Sequence, residues 1–386
     1  MKVDGVPLEH LRTRTSEKWS EFDPDVLPMP VAEMDFELAE PIRKVLIDLV
    51  SNSDTGYMGK TNHLTANFAK FAEDCWEWTI DQSQLFLCTD VGVGMIEMAR
   101  TVVQPGDHIM INSPVYLNMF NWIKELHCLS VDAPLKKDGM NYTLDLAAIE
   151  AGYKEGVKIH FLCNPQNPTG SVHSRRDLEE IAKLAAHYGV YVFSDEIHAP
   201  LVFDESEFIP FLSVSDEARE IGVCVTAASK AWNLAGLKCA FIITQSERTL
   251  AHAKKMPQSV RFRASLLGAH ATAKAFECTD WLDGLMDTLE ENRRFIKEQL
   301  DEKLPLAQYR IPDCSYLAWI DLEATGIGAN PGRQILEHGR VAFTPGYLFG
   351  AECNTFVRLN FATSKEVIAE GIDRLVVGIE KAKVAK

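Results

Sequence analysis

The sequence predicts an α/β protein: a mostly parallel, doubly wound sheet in a large domain, with a smaller α+β domain beside it. Three observations carry that prediction. From about Ser53 to Phe276, short apolar segments alternate with amphipathic helical patterns, the order that a sheet with crossover helices requires. Three polar motifs each follow directly on an apolar segment, and the carboxyl ends of strands are where open sheets bind ligands. The last hundred residues change to a long helical pattern and two alternating, strand-like runs, which reads as a second architecture.

Taken in order, residues 1–52 are expected to pack with the smaller domain, 53–280 to form the large domain and 281–386 the small one. Leu85-Phe86-Leu87-Cys88 reads as a strand, and Thr89-Asp90-Val91-Gly92-Val93-Gly94 as a tight turn that opens a helix. Backbone N–H groups exposed there would cradle a phosphate. It is not a dinucleotide fingerprint, because Glu97 stands where the third glycine belongs. Without a ligand, the same glycines simply punctuate a turn. Lys158-Ile159-His160-Phe161-Leu162-Cys163 is the next well-marked strand. Ser174 with Asp177 then starts a helix whose apolar face is Leu178, Ile181, Ala182 and Ala185, and Gly189 can end it. Val190-Tyr191-Val192-Phe193 delivers Asp195 at its end, and Gly222-Val223-Cys224-Val225-Thr226 delivers Lys230. In the last part, a helix around Trp281 to Leu300 precedes strand-like runs at 316–321 and 356–361 and a closing helix from about Lys365.

At 386 residues the chain can bury two cores. Its net charge of −16 without a basic cluster argues against nucleic acid as a partner, since phosphate binding rests on Lys and Arg. No apolar run approaches the roughly 18 residues of a membrane span, and the N-terminus lacks a signal-peptide core. A cytoplasmic location is the expectation. Nine cysteines stand singly, with no C-x-x-C pair, and the histidines show no ligand spacing. Reduced thiols and no metal site are therefore expected.

The three strand-end motifs are Asn164-Pro165-Gln166-Asn167-Pro168-Thr169-Gly170, Ser194-Asp195-Glu196-Ile197-His198 and Thr226-Ala227-Ala228-Ser229-Lys230. A lysine amine attacks an aldehyde only when neutral, and burial or a cationic neighbour lowers its pKa enough for that. Alone, Lys230 would read as a surface lysine. Asp195 ends an apolar strand, where a carboxylate needs a cation or hydrogen-bond donors. A protonated pyridine nitrogen would serve, and the pairing would keep the ring able to accept electrons; a helix cap or structural ion pair would use the same residue. Asn167 lies in a turn stiffened by two prolines, rigid enough to donate to a ring oxygen. Lys238 could add a positive charge to a phosphate on the glycine turn. Arg358, in an apolar strand pattern, offers a planar fork for an α-carboxylate, unless an internal acid takes it.

On these residues the chain resembles the fold-type I pyridoxal 5′-phosphate enzymes, the aspartate aminotransferase superfamily, over nearly its whole length. The runs 25–36 (Asp-Val-Leu-Pro-Met-Pro-Val-Ala-Glu-Met-Asp-Phe), 195–202 (Asp-Glu-Ile-His-Ala-Pro-Leu-Val) and 229–233 (Ser-Lys-Ala-Trp-Asn), followed by Gly236-Leu237-Lys238, narrow the likeness to the MalY/PatB group of cystathionine β-lyases. The resemblance implies the fold-type I transferase fold and pyridoxal 5′-phosphate as cofactor. It implies that Lys230 holds the cofactor aldehyde and later carries a proton, that Asp195 meets the pyridine nitrogen, and that Tyr116 stacks on the ring. Asn167 and His198 are implied near the ring hydroxyl, and Gly92, Val93, Ser229 and Lys238 at the phosphate. Arg358 and Ala32 are implied in substrate binding. Tyr57 resembles a tyrosine that reaches the phosphate of the neighbouring subunit, so a homodimer with shared sites is expected. Three positions depart from the group's pattern. Pro30 replaces a tryptophan, Glu33 an aspartate, and Ala227 stands where some relatives have a phosphate-binding serine, which shifts that task to Lys238 and the backbone. The implied reaction is β-elimination from L-cystathionine or a related cysteine S-conjugate to a thiol, pyruvate and ammonia. An aminotransferase, which forms the same carbanion, and a regulatory binding protein are the alternatives. Intact Lys230, Asp195 and Arg358 argue against a purely binding role, because a docking surface needs none of them.

Overall fold

The computed structural model describes residues 2–60 and 62–384. Seven strands form the main sheet: β1 (Leu85–Cys88), β2 (His108–Ile111), β3 (Leu129–Asp132), β4 (Val157–Cys163), β5 (Tyr191–Asp195), β6 (Gly222–Thr226) and β7 (Ala240–Ile243). Their spatial order is β1-β7-β6-β5-β4-β2-β3. All neighbours run parallel except β7, which is antiparallel to both β1 and β6. Strands β6 and β7 are buried at every position, as strands covered on both faces must be.

The helices used below are α1 (Glu17–Ser20), α2 (Val91–Ala99), α3 (Arg175–Tyr188), α4 (Thr279–Lys303) and α5 (Lys365–Val384). Helix α3 begins where its sequence says it should: Ser174 Oγ accepts from the Asp177 N–H at 3.1 Å, and Gly189 closes it at φ 72°. Helix α2 lies hard on the sheet, because a Cβ on Gly94 would stand 2.8 Å from Val225 Cγ1.

A second sheet is antiparallel throughout, with β8 (Gln308–Tyr309), β9 (Leu317–Asp321), β10 (Thr344–Pro345) and β11 (Phe356–Asn360) in the order β8-β9-β11-β10. Alternation along β11 puts Val357 and Leu359 on one face and Arg358 and Asn360 on the other. The N-terminal stretch reaches this part of the molecule. Leu27–Pro28 runs parallel to Val341–Ala342, and Thr288 of α4 donates to the Val3 carbonyl at 2.8 Å.

One ion pair fastens that stretch near the site. Lys18 of α1 donates to Asp35 at 2.7 Å with both side chains 1% exposed, and Trp19 Nε1 donates to the other Asp35 oxygen at 2.9 Å. Removing one partner of such a pair strands a buried charge. Asp35→Ala is therefore expected to destabilise the protein by about 3–5 kcal/mol, read as a lower urea midpoint with an unchanged slope.

Candidate active site

Strand register assembles the site. Cys163 lies opposite Asp195, and Asp195 opposite Val225, so the turns carrying Asn167 and Lys230 open beside Asp195 on one sheet edge. Because β7 runs backwards, with Ala240 opposite Cys88, Lys238, two residues before the strand, lies at that same end of the sheet beside the end of β1. Arg358 comes from β11 of the second sheet.

Lys230 Nζ donates to the Ala32 carbonyl at 2.9 Å, and the Tyr316 hydroxyl donates to the same oxygen at 3.0 Å. Burial, then the Arg358 charge, pulls the lysine pKa down to about 8, against Glu33, Asp195 and Glu17. Asp195 is buried, which pushes its pKa up to about 7; one oxygen accepts from the Ile197 N–H at 3.2 Å. Among the described residues it has no ion-pair partner within 4 Å. His198, buried and pulled down to about 3, is neutral, with Nδ1 hydrogen-bonded to the Ser315 hydroxyl at 3.1 Å.

Arg358 donates to Asn167 Oδ1 at 3.0 Å, to the Pro30 carbonyl at 3.0 Å and to Thr344 Oγ1 at 3.3 Å, and its guanidinium lies 4.8 Å from the Phe349 ring centre. Burial lowers its pKa to about 10, still far above neutrality. No carboxylate pairs with it among the described residues, and its Nε is buried without a partner. The Asn167 carbonyl is thus engaged, while its NH₂ is left to donate elsewhere. Tyr116 is largely buried, accepts from Asn118 Nδ2 at 2.7 Å and meets Trp122 edge-on.

At the other end of the site Asp90 holds two of the expected groups. It caps α2 by accepting from the Val93 N–H at 2.9 Å and pairs with Lys238 at 3.3 Å. The Lys238 pair is half exposed, worth about 0–1 kcal/mol, so a phosphate can take the lysine over. A Cβ on Gly92 would stand 3.2 Å from the Trp122 ring, so a larger residue there would press on that ring. Ser229, next to Lys230, is partly buried. Tyr57 stands apart: it is 85% exposed and stacks on Phe262 at 5.2 Å, joining none of these groups within one chain. A groove of about 1020 Å³ lined by Trp76, Phe208 and Asp283 contains none of the expected site residues.

Sequence reasoning passed over four residues that shape the site: Asp90, Tyr316, Asn233 and Asn360. Asn360 Nδ2 donates to both the Val31 and Glu33 carbonyls at 2.6 Å, and Asn233 exchanges hydrogen bonds with the Met34 backbone at 3.0 and 3.1 Å. The available signal for Asn360 was its place two residues after Arg358 on an alternating strand. Glu196 is a different matter. Buried and raised to about 7, it accepts from Ser194, Cys224 and the Phe211 N–H, a structural role beside the site.

These residues fit pyridoxal 5′-phosphate. A buried carboxylate without a cation suits a protonated ring nitrogen, an orphaned guanidinium nitrogen suits a substrate carboxylate, and a depressed lysine suits an aldehyde. Among the described residues no cluster of three or more His, Cys, Asp or Glu could hold a metal ion, and no helix is long and apolar enough to cross a membrane. All nine cysteines are free.

Comparison with known proteins agrees with the geometry. The model of the family Aminotransferase class I and II matches residues 24–375. Cystathionine beta-lyase of Corynebacterium glutamicum is 33% identical, over 95% of this chain and 98% of its own. Cystathionine beta-lyase PatB of Bacillus subtilis is 31% identical over 91% and 92%. The crystal structure of cystalysin from Treponema denticola, which contains pyridoxal 5′-phosphate, superposes with a TM-score of 0.91 at 25% identity, covering 96% and 97% of the two chains.

Proposed function

The chain belongs to the class I and II aminotransferase family, and from that premise we infer that it is a pyridoxal 5′-phosphate-dependent carbon–sulfur β-lyase. Its substrate is L-cystathionine or a related cysteine S-conjugate, cleaved to a thiol, pyruvate and ammonia. The observation that carries this reading is a buried Arg358 with no carboxylate partner among the described residues and a free Nε, together with a depressed Lys230 in the same site, joined to relatives named for the same reaction.

The cofactor, when bound, supplies an aldehyde for the substrate amine and a ring that accepts electrons. The protein's residues do the rest. The Arg358 fork grips the α-carboxylate and so fixes the direction of the Cα–H bond. Lys230 Nζ, partly neutral at neutral pH, takes that proton as general base, a step typically worth about 100- to 10,000-fold. With the cofactor bound, the Asp195 carboxylate would keep the ring nitrogen protonated, Tyr116 would cover the ring, and Asn167 and His198 would serve its hydroxyl. Gly92, Val93, Ser229 and Lys238 would hold the phosphate, with Lys238 leaving Asp90 to do so. Ala32 lines the substrate side. Tyr57, exposed on one chain, completes the site of a second copy in a homodimer. On the expected division into 1–52 with 281–386 and 53–280, the substrate arginine and the reactive lysine would belong to different domains. Nine free thiols suit the reducing cytoplasm.

The test is the product. Purified protein given L-cystathionine and no keto acid should release pyruvate and free thiol in equal amounts. Turnover that requires a keto acid, with pyridoxamine phosphate accumulating, would mean an aminotransferase instead.

A further inference from the structure

Residues 30–34 form no helix or strand, yet every carbonyl in the run is held by a side chain from elsewhere. Pro30 is held by Arg358 and Thr344, Met34 by Asn233 and Arg14, and Ala32 by Lys230 and Tyr316. Val31 and Glu33 share one donor: the Asn360 amide gives both its hydrogens, one to each, at 2.6 Å. Asn360 is fully buried, and its own carbonyl accepts from the Ala362 N–H at 2.8 Å. The Glu33 N–H also donates to the Val31 carbonyl at 2.9 Å, so the chain turns tightly about Ala32. One buried amide holds the two carbonyls flanking that turn, and the Ala32 carbonyl between them faces Lys230 and Tyr316.

We propose that Asn360 is a positioning residue for the reactive amine: by gripping Val31 and Glu33 it aims the Ala32 carbonyl at Lys230 Nζ, and that carbonyl holds the amine in place whenever it is not bonded to the cofactor. This rests on Lys230 being the reactive amine, as above. Tyr316 is the counterweight, since its hydroxyl competes for the same oxygen. A carbonyl that accepts from an ammonium favours the charged form. Asn360 thus holds the Lys230 pKa up, and Tyr316 holds it down. The other charged or titratable groups that act on the amine are Arg358, Glu33, Asp195, Glu17 and His198, and all of them are retained in the variants below.

The full chain, purified free of cofactor, is treated with cyanate across a pH series, and carbamylation of Lys230 is followed by site-resolved mass spectrometry. The wild type should show an inflection at about 8. Asn360→Ala should move it down by about one pH unit and Tyr316→Phe should move it up. In the loaded enzyme Asn360→Ala should lower kcat about tenfold with KM nearly unchanged, because the Arg358 contacts remain. A purely structural role predicts no shift, or shifts of one sign in both variants, and either result overturns the proposal. If Asn360→Ala does not fold, Tyr316→Phe decides alone, and an inflection that stays or falls sinks the idea. Opposite shifts in a protein that releases no pyruvate from any thioether would leave this proposal standing and remove the lyase reading.

Discussion

Lys230→Ala is expected to abolish turnover, with pyruvate release from L-cystathionine falling at least about 10,000-fold. Two losses combine. The variant has no amine to hold the cofactor aldehyde, and no base within reach of the substrate proton. His198 cannot substitute, because at a pKa of about 3 it is a weak base and its Nδ1 is tied to Ser315. The Tyr316 hydroxyl lies at the same carbonyl, but burial pushes its pKa far up. The reconstituted variant should also lack the visible imine band that sodium borohydride bleaches in the wild type. Activity within tenfold of wild type would remove Lys230 from both roles. A regulatory binding function, by contrast, would survive the substitution.

Asp195→Asn should cost less than that, while leaving the shape of the site alone. Losing one partner of a buried ion pair costs about 3–5 kcal/mol, a fall in kcat of roughly 100-fold to a few thousand-fold. Without cofactor the sign reverses for stability. Burial raises the Asp195 pKa to about 7 from an ordinary 3.8, so between those values the folded state holds a proton that the unfolded state has released. Stability then falls as pH rises through that window. Asparagine carries no such penalty, so the cofactor-free variant should melt higher than cofactor-free wild type at pH 7.5. A variant that is both less stable without cofactor and fully active with it would contradict the assigned role.

Much of this site was legible because its chemistry sits at strand ends. Asp195 and Asn167 follow apolar runs whose register the sheet fixes, and a lysine four residues past Thr226 must emerge beside them. Arg358 stood out as a cation in an apolar strand. What escaped depends on pairings that no local pattern encodes. The direction of strand β7 is one such feature: it runs backwards, and that sets Lys238, expected at a phosphate, against Asp90. Asn233 belonged to the motif behind the family likeness and Asn360 to a strand-like run, but neither showed a role until the irregular run 30–34 was laid across them. Tyr57, expected at the phosphate of a neighbouring subunit, lies exposed against Phe262 in the single chain.

The contacts around Ala32 also set an order of assembly. Its neighbours are secured by Asn360, more than three hundred residues further along, while its carbonyl meets Lys230 and Tyr316 from two other regions. A chain emerging from the ribosome can build the main sheet and its lysine long before residue 360 exists. Until then nothing aims that carbonyl, and loop closure over such a span is slow. On the proposal above, a chain that stops short of residue 360 carries Lys230 without the amide that holds the carbonyls on either side of Ala32.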